Sequence, residues 1–316
     1  MRDSLGRKID YLRLSVTDRC NLRCVYCMPP SGIPPVSQDD ILTIEEMVEA
    51  TRIVAATTGI SKVRITGGEP LVRKGVSDVI RGVASLGFRE VTLTTNGILL
   101  SEMAGTLAKA GLDRINVSLD SLRDDRLVSI TRGNITLAQI EEGIRSAMEA
   151  GMKPVKVNCV VLRGWNDDEI ADFILWSRNM KVTVRFIEHM PSMLPPDAFV
   201  SRDEILERAS VLGPIVNLEE NRGSTASLHR VGKDGPVFGS IAPLSGHMCT
   251  YCSRVRLSAT GFLQTCLHRE SGISLREMMR NGIPVDVMKA GIRRAVRNKP
   301  ASGGGCFSTE MWKIGG

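Results

Sequence analysis

Aromatic residues are scarce in this sequence: 3 Trp, 3 Tyr and 7 Phe make up 4% of 316 residues. That is too few for a platform on which nucleic-acid bases stack. The basic excess is also thin, with 41 Lys and Arg against 35 Asp and Glu for a formal net charge of +6. These cations are scattered and form no block, so a nucleic-acid interface is not expected, although a small polyanionic ligand would use the same charge. Long apolar runs are missing too. No stretch approaches ~20 residues, and the opening MRDSLGRKIDYLRLS keeps returning to charge, which argues against a membrane span or secretory leader and predicts a soluble, cytoplasmic protein. A chain of this length buries a core without disulfide staples, so its 8 cysteines are not needed for stability. In a reducing cytosol, clustered cysteines are expected to be metal ligands or redox groups.

What the sequence does contain, from residue 11 to about 188, is an alternation of short apolar runs and helical patterns. Candidate strands are YLRLSV (11–16), KVRIT (62–66), EVTLTT (90–95), RINVSL (114–119), VKVNCVVL (155–162) and TVRFIE (183–188), each rich in Val, Ile or Leu. Helices are predicted over 43–59, 75–86, 101–110, 136–150 and 167–179. In the first of these, Thr43 and Glu46 have capping-box spacing and Gly59 is a natural stop. Strand–helix units recurring about every 30 residues imply a parallel βα array. A closed eightfold barrel needs about 250 residues. The expected fold is therefore α/β, an incomplete (βα)6 TIM-like barrel, with a doubly wound open sheet as the competing arrangement. Ligands gather at the carboxyl ends of the strands in both. Past residue 190 the rhythm gives way to Pro, Gly and Ser in MPSMLPPD, NRGSTAS and APLSGHMC. A partial barrel over 1–215 and a smaller, irregular C-terminal domain over 216–316 are expected.

The cysteines are unevenly placed. DRCNLRCVYCMPP (18–30) brings Cys20, Cys24 and Cys27 together directly after the first strand. Cys20 and Cys27 would stand ~24 Å apart in an extended chain, so the loop must curl for all three sulfurs to meet one centre. Asn21, Arg23 and the Pro29-Pro30 pair suit such a loop, and buried structural thiols are the bland alternative. A tetrahedral metal site takes four ligands and a disulfide two, so a trio lacks a partner or leaves a coordination position vacant. On a 4Fe-4S cluster, three thiolates would leave one iron open to an exogenous ligand.

The second strand runs into RITGGEPL (64–71). Gly67 and Gly68 permit close backbone approach by a ligand, Glu69 offers a carboxylate to an ammonium group, and Pro70 fixes the exit. Thr94, Thr95 and Asn96 end the third strand and Ser118 with Asp120 the fourth, positions suited either to ligand contact or to capping the next helix. A second trio lies in HMCTYCSRVRLSATGFLQTCL (247–267): Cys249, Cys252 and, after thirteen intervening residues, Cys266. A zinc site completed by His247 or His268 competes with a cluster here.

CxxxCxxC with Tyr26 before its last cysteine, followed by GGE behind the second strand, resembles the radical S-adenosylmethionine superfamily. The resemblance implies a 4Fe-4S cluster on Cys20, Cys24 and Cys27 whose open iron binds the amino and carboxylate groups of S-adenosylmethionine. Gly67, Gly68 and Glu69 would hold the methionine amino group. In that superfamily the sulfonium is split to a 5'-deoxyadenosyl radical, which is cofactor chemistry that no side chain supplies. More narrowly, CxxC-x-R-x-R-L, then Gly261 and Cys266-Leu267, resembles the GTP 3',8-cyclase family of molybdenum cofactor biosynthesis, and the likeness runs nearly end to end. It implies a second 4Fe-4S cluster on Cys249, Cys252 and Cys266, with an open iron facing the guanine.

By the same likeness, Tyr26, Gly68, Ser118 and Met190 contact S-adenosylmethionine. Arg13, Arg64, Thr94, Lys156, Arg254, Val255 and Arg256 bind GTP, and Arg185 is a further candidate for the triphosphate. Guanidinium groups suit that role because they offer paired donors to phosphate oxygens, and strand-end placement is expected to gather them. The chain ends in MWKIGG, and the family's terminal glycines, here Gly315 and Gly316, reach the active site and assist catalysis. The implied reaction removes the ribose 3' hydrogen and joins that carbon to guanine C8. GTP, S-adenosylmethionine and an electron donor are the expected partners, without nucleic acid or membrane, and a homodimer is one option for the assembly. GSTASL (223–228), Met248 and Cys306 depart from the family pattern, and Cys159 and Cys306 are read as structural or incidental. A radical enzyme that modifies peptides and a non-catalytic metal module that contacts nucleic acid are the rival readings.

Overall fold

Leu12 and Leu14 alternate with Tyr11 and Arg13 along β1 (Tyr11–Ser15), and the leucines are fully buried. The computed structural model describes residues 1–34, 36–190, 193–218, 225–246 and 248–302, without the side chain of residue 270. From β1 the chain passes through α1 (Ile44–Thr58) to β2 (Lys62–Thr66), through α2 (Val76–Ala84) to β3 (Glu90–Thr95), and through α3 (Leu100–Lys109) to β4 (Arg114–Ser118). Two helices, α4 (Asp124–Thr131) and α5 (Leu137–Glu149), lead to β5 (Lys156–Val161), and α6 (Ile170–Asn179) leads to β6 (Thr183–Glu188). β1 to β6 are parallel neighbours in chain order. A doubly wound sheet reverses its strand order at a switch point, and no reversal occurs here. Right-handed crossovers in a constant direction put the helices on one face and curl the sheet around the other, which is the incomplete barrel.

The helix signals act as their chemistry requires. Thr43 Oγ1 accepts from the Glu46 amide at 3.2 Å, and the Glu46 carboxylate accepts from the Thr43 amide at 2.9 Å. Gly59 ends α1 at φ +74°, a left-handed conformation that costs glycine little. α4 has no counterpart among the sequence-predicted helices. It is one short element whose DDRLVSIT buries only Leu127, Ile130 and Thr131, a stripe of one turn that is too brief to mark a helix in the sequence.

Beyond residue 190 the chain is richer in strands than its Pro, Gly and Ser content suggests. After α7 (Arg202–Ala209) come β7 (Ile215–Asn217), β8 (Ser227–Val231), β9 (Val237–Ile241), β10 (Arg254–Leu257), β11 (Phe262–Cys266) and β12 (Arg269–Ser274), then α8 (Leu275–Arg280) and α9 (Val285–Arg297). All of these strands extend the first sheet. β9 adds to β6 and β10 adds to β1, both in parallel. β8 and β7 continue antiparallel beyond β9, and β11 and β12 beyond β10. The outer edges of β9 and β10 are thus occupied, and the barrel does not close between them. Among the described residues no helix is long and apolar enough to cross a membrane.

The two faces of the sheet differ in chemistry. Val63, Ile65, Leu93, Val117, Val157 and Phe186 turn to the helices and are buried. Phe173 on α6, Phe186 on β6 and Phe238 on β9 stack edge-to-face with centroids 6.2 and 6.0 Å apart, locking the first βα array to its later extension. Removing the central ring should be expensive: Phe186→Ala is expected to lower stability by about 3–5 kcal/mol in urea unfolding, and a loss under ~1 kcal/mol would show that this stack is dispensable.

Candidate active site

The loop after β1 curls as three thiols on one centre require. The Cys24 carbonyl accepts from the amides of Cys27 at 2.9 Å and Met28 at 3.2 Å, and the Leu22 amide points at Cys20 Sγ at 3.4 Å. α4 braces the turn from outside, since the carbonyls of Thr131 and Ile130 each accept, at 2.9 Å, from the amides of Arg23 and Val25. Burial pushes the Cys20 thiol up to about 11 and Cys27 to about 12, and holds Cys24 well above its ordinary value. The neighbouring thiols add to the shift at Cys24 and Cys27. Deprotonating all three together therefore needs a strong positive centre among them.

Gly67 and Gly68 follow β2 and press against this loop. A Cβ on Gly67 would lie 2.6 Å from the Thr17 carbonyl oxygen, and one on Gly68 would overlap the Arg19 carbonyl. Their backbones bond there instead: the Gly68 amide donates to Thr17 and the Glu69 amide to Arg19, both at 2.8 Å. The close approach read from the sequence is thus an approach of two loops to each other. Glu69 is buried and pushed up to about 7 by that burial, although it accepts from the Asn96 amide and Thr95 Oγ1, both at 2.7 Å, and from the Leu71 amide at 2.9 Å. Tyr26 is held by Asp120, whose Oδ2 accepts from the hydroxyl at 2.6 Å while Oδ1 accepts from the Val160 amide at 2.8 Å. Ser118, at the end of β4, and Met190, just after β6, are half-buried at the same carboxyl rim.

The cations lie elsewhere than expected. Arg13, Arg64, Arg185 and Arg256 each sit inside a strand, and Lys156 and Arg254 begin theirs. Registry makes Arg13 the neighbour of both Arg64 and Arg256, Asn116 the neighbour of both Thr94 and Lys156, and Asn158 the neighbour of Arg185. Strand alternation puts them on the polar face inside the barrel, and Val255, fully buried between Arg254 and Arg256, on the helix-facing side. Arg64 donates to Thr94 Oγ1 at 3.1 Å and to the Tyr11 hydroxyl. Asn116, with its amide oxygen turned inward, accepts from Arg185 at 2.9 Å and from Arg64.

Among the described residues no carboxylate pairs with Arg13, Arg64, Lys156, Arg185 or Arg254, and Nε of both Arg13 and Arg185 is buried without an acceptor. Burial first, then neighbouring cations, lowers three of them: Arg13 well below its usual value, Arg185 to about 9 and Lys156 to about 8. Together they make the inward face of these strands cationic, a surface suited to an anion.

The second trio lies at the opposite end of the strands. Cys249 and Cys252 precede β10, and Cys266 ends the antiparallel β11, so all three lie at the amino end of the parallel array. From Tyr11, which pairs with Arg254, to Ser15 is about 13 Å along β1, with the first trio beyond its carboxyl end and the arginines between. Burial raises the Cys252 thiol, but Arg254 and Lys299 beside it outweigh that and bring it down to about 6. All six cysteines are free of disulfides. Among the described residues no three Cys, His, Asp or Glu side chains close around a single ion. A cubane cluster assigns each thiolate to a different iron and takes a wider trio.

Several contributors carry no sequence signal. Asn116 and Asn158 look like ordinary strand residues until the register is known, and Arg7 and Lys299 stand in no motif. His247, Cys306, Gly315 and Gly316 lie outside the described residues.

Comparison with known proteins gives the family. Residues 14–176 match the Radical SAM superfamily, and residues 182–304 match Molybdenum Cofactor Synthesis C. A GTP 3',8-cyclase of Moorella thermoacetica is 47% identical over 309 residues, covering 95% of this chain and 94% of that protein. One from Thermodesulfovibrio yellowstonii is 40% identical over 306 residues, with 95% and 94% covered. In fold, the chain is similar to Streptococcus suis SuiB bound to S-adenosylmethionine, with a TM-score of 0.63 at 13% identity over 92% of this chain and 68% of that one. With both family patterns in order and such identity across nearly the whole of each relative, the chain belongs to the radical SAM superfamily and, within it, to the GTP 3',8-cyclase family.

Proposed function

We propose that this chain is a GTP 3',8-cyclase that joins ribose C3' to guanine C8 and yields (8S)-3',8-cyclo-7,8-dihydroguanosine 5'-triphosphate for molybdenum cofactor biosynthesis. The observation that carries this reading is the cation-lined barrel interior set between two cysteine trios. A triphosphate is a ligand suited to such a wall, because several guanidinium and ammonium groups must share its charge before it leaves water. Arg13 and Arg185 each hold an unused buried donor for it, while Thr94 and Asn116 keep Arg64 and Arg185 aimed inward. Arg254 and Arg256 extend the cationic wall toward the second trio.

Cys20, Cys24 and Cys27 would hold a 4Fe-4S cluster, and Cys249, Cys252 and Cys266 would hold a second one. When bound, the first cluster with S-adenosylmethionine supplies the electron and the 5'-deoxyadenosyl radical that begin the reaction. The chain's own work is placement. The Glu69 carboxylate is held at the rim for the methionine ammonium, and Gly67 and Gly68 let its loop seat against the cysteine turn. Tyr26 is fixed by Asp120, and Ser118 and Met190 complete the rim. The barrel wall excludes water and stray hydrogen donors from a carbon radical. Gly315 and Gly316 are assigned to the same site by family likeness. Cysteines free of disulfides suit a reducing cytoplasm, and clusters held there would take their electrons from an external one-electron donor.

Three measurements test this. Reduced, reconstituted protein given S-adenosylmethionine and GTP should form 5'-deoxyadenosine together with a nucleotide of the same mass as GTP. Turnover of a peptide without turnover of GTP would remove the proposal. Arg254→Ala or Arg256→Ala should weaken GTP binding by tenfold or more, about 1.4 kcal/mol each, and leave uncoupled cleavage of S-adenosylmethionine; lost cleavage with GTP affinity kept would reverse the roles. Lys156 titrates near about 8 in the free protein, so at pH 8.5 it is mostly neutral, and a triphosphate beside it restores the charged form. Calorimetry in buffers of different ionisation enthalpy should therefore show proton uptake on GTP binding at pH 8.5 that Lys156→Met reduces, whereas equal uptake by both proteins would move the phosphates away from Lys156.

A further inference from the structure

Two buried cations far apart in sequence grip the backbone around the second trio. Arg7, from the amino-terminal segment, is paired with buried Asp3 at 2.6 Å. Its guanidinium donates to the Cys249 carbonyl at 2.8 Å and to the carbonyls of Lys299, Pro300 and Ala301 at 3.2, 2.7 and 3.3 Å. Lys299 is itself buried, at 4% exposure, and has no carboxylate partner among the described residues. Its ammonium donates to the Arg254 carbonyl at 2.9 Å and to the Thr265 carbonyl.

These acceptors are not scattered. One belongs to Cys249, one lies two residues past Cys252, and one immediately precedes Cys266, so each cysteine is tied through its own stretch of backbone. Arg7 then joins the Cys249 loop to the stretch that carries Lys299, which closes the two grips into one unit. Burying a lysine costs several kcal/mol unless something anionic faces it. Carbonyls alone leave its charge whole, and the two it bonds set it beside the stretches that carry Cys252 and Cys266, whose sulfurs are candidates for a counter-charge.

We propose that Arg7 and Lys299 form a clasp that positions the second cysteine trio, and that the charge of Lys299, which no described carboxylate offsets, raises the reduction potential of the cluster held there. Both are positioning residues. The inference rests on reading that trio as a 4Fe-4S site, because positive charge beside a cluster favours its reduced, more negative state. Arg7, neutralised by Asp3, contributes geometry, and Lys299 contributes geometry and charge.

The test uses the full chain with both clusters reconstituted. Wild-type protein should carry about eight irons; about four would remove the reading of the second trio itself, separately from the clasp. The second cluster is identified as the paramagnetic signal that S-adenosylmethionine does not shift. In Lys299→Met its midpoint potential should fall and its iron should pass to a chelator about tenfold faster, while the other signal is unchanged. Lys299→Arg should recover the potential. Arg7→Lys keeps the charge but cannot reach four carbonyls, so it should speed iron release and leave the potential in place. If Lys299→Met does not fold, the last two variants decide alone: a potential displaced in Lys299→Arg, or wild-type release in Arg7→Lys, overturns the clasp. Wild-type potential and release in Lys299→Met overturn it directly.

Discussion

A cluster of buried and half-buried guanidinium and ammonium groups, with no carboxylate partner among the described residues, is the constraint on which the rest of this molecule depends. Burial, and then the cations around them, lower the affinity of Arg13, Lys156 and Arg185 for protons, and Arg13 and Arg185 each leave a buried Nε donor unsatisfied. An empty protein tolerates that only if the scaffold is stiff and the energy is recovered when an anion enters. The stiffness comes from the opposite face of the same strands, where Leu12, Val63, Leu93, Val117, Val157 and Phe186 pack under the helices. Each strand thus serves both purposes at once, one residue apart.

Parallel pairing then decides what the cations face. Because β10 runs alongside β1 in the same direction, Arg256 falls beside Arg13 while the cysteines flanking β10 and β11 fall at the end remote from Cys20. A ligand spanning the interior meets one trio at each end. Such an arrangement lets one end of a nucleotide be chemically attacked while the other is held. The later part of the chain is therefore not an appendage, since its strands extend both edges of the barrel and supply part of the cationic wall.

Much of this was legible in the sequence wherever the chemistry is local. Cys20, Cys24 and Cys27, the glycines before Glu69, and the Arg254-Val255-Arg256 run are each contiguous motifs, and the Thr43–Glu46 box marks its helix within one turn. Where function is assembled across the chain, the sequence is mute. The mid-strand position of Arg13 and Arg64 contradicts the expected gathering at strand ends, because alternation turns inward-facing residues into the cavity along the whole strand length. α4 is too short for its one-turn buried stripe to stand out, yet it props up the cysteine turn. Arg7 meets the Cys249 carbonyl across a separation of 242 residues, and nothing near it announces that contact.

The central claim is that the cation-lined interior holds GTP with its ribose C3' toward the first trio. GTP carrying deuterium at C3', incubated with reduced protein and unlabelled S-adenosylmethionine, tests it most directly. Mass spectrometry should find one deuterium in 5'-deoxyadenosine and none at C3' of the cyclised nucleotide. Unlabelled 5'-deoxyadenosine alongside nucleotide that keeps its deuterium would contradict it.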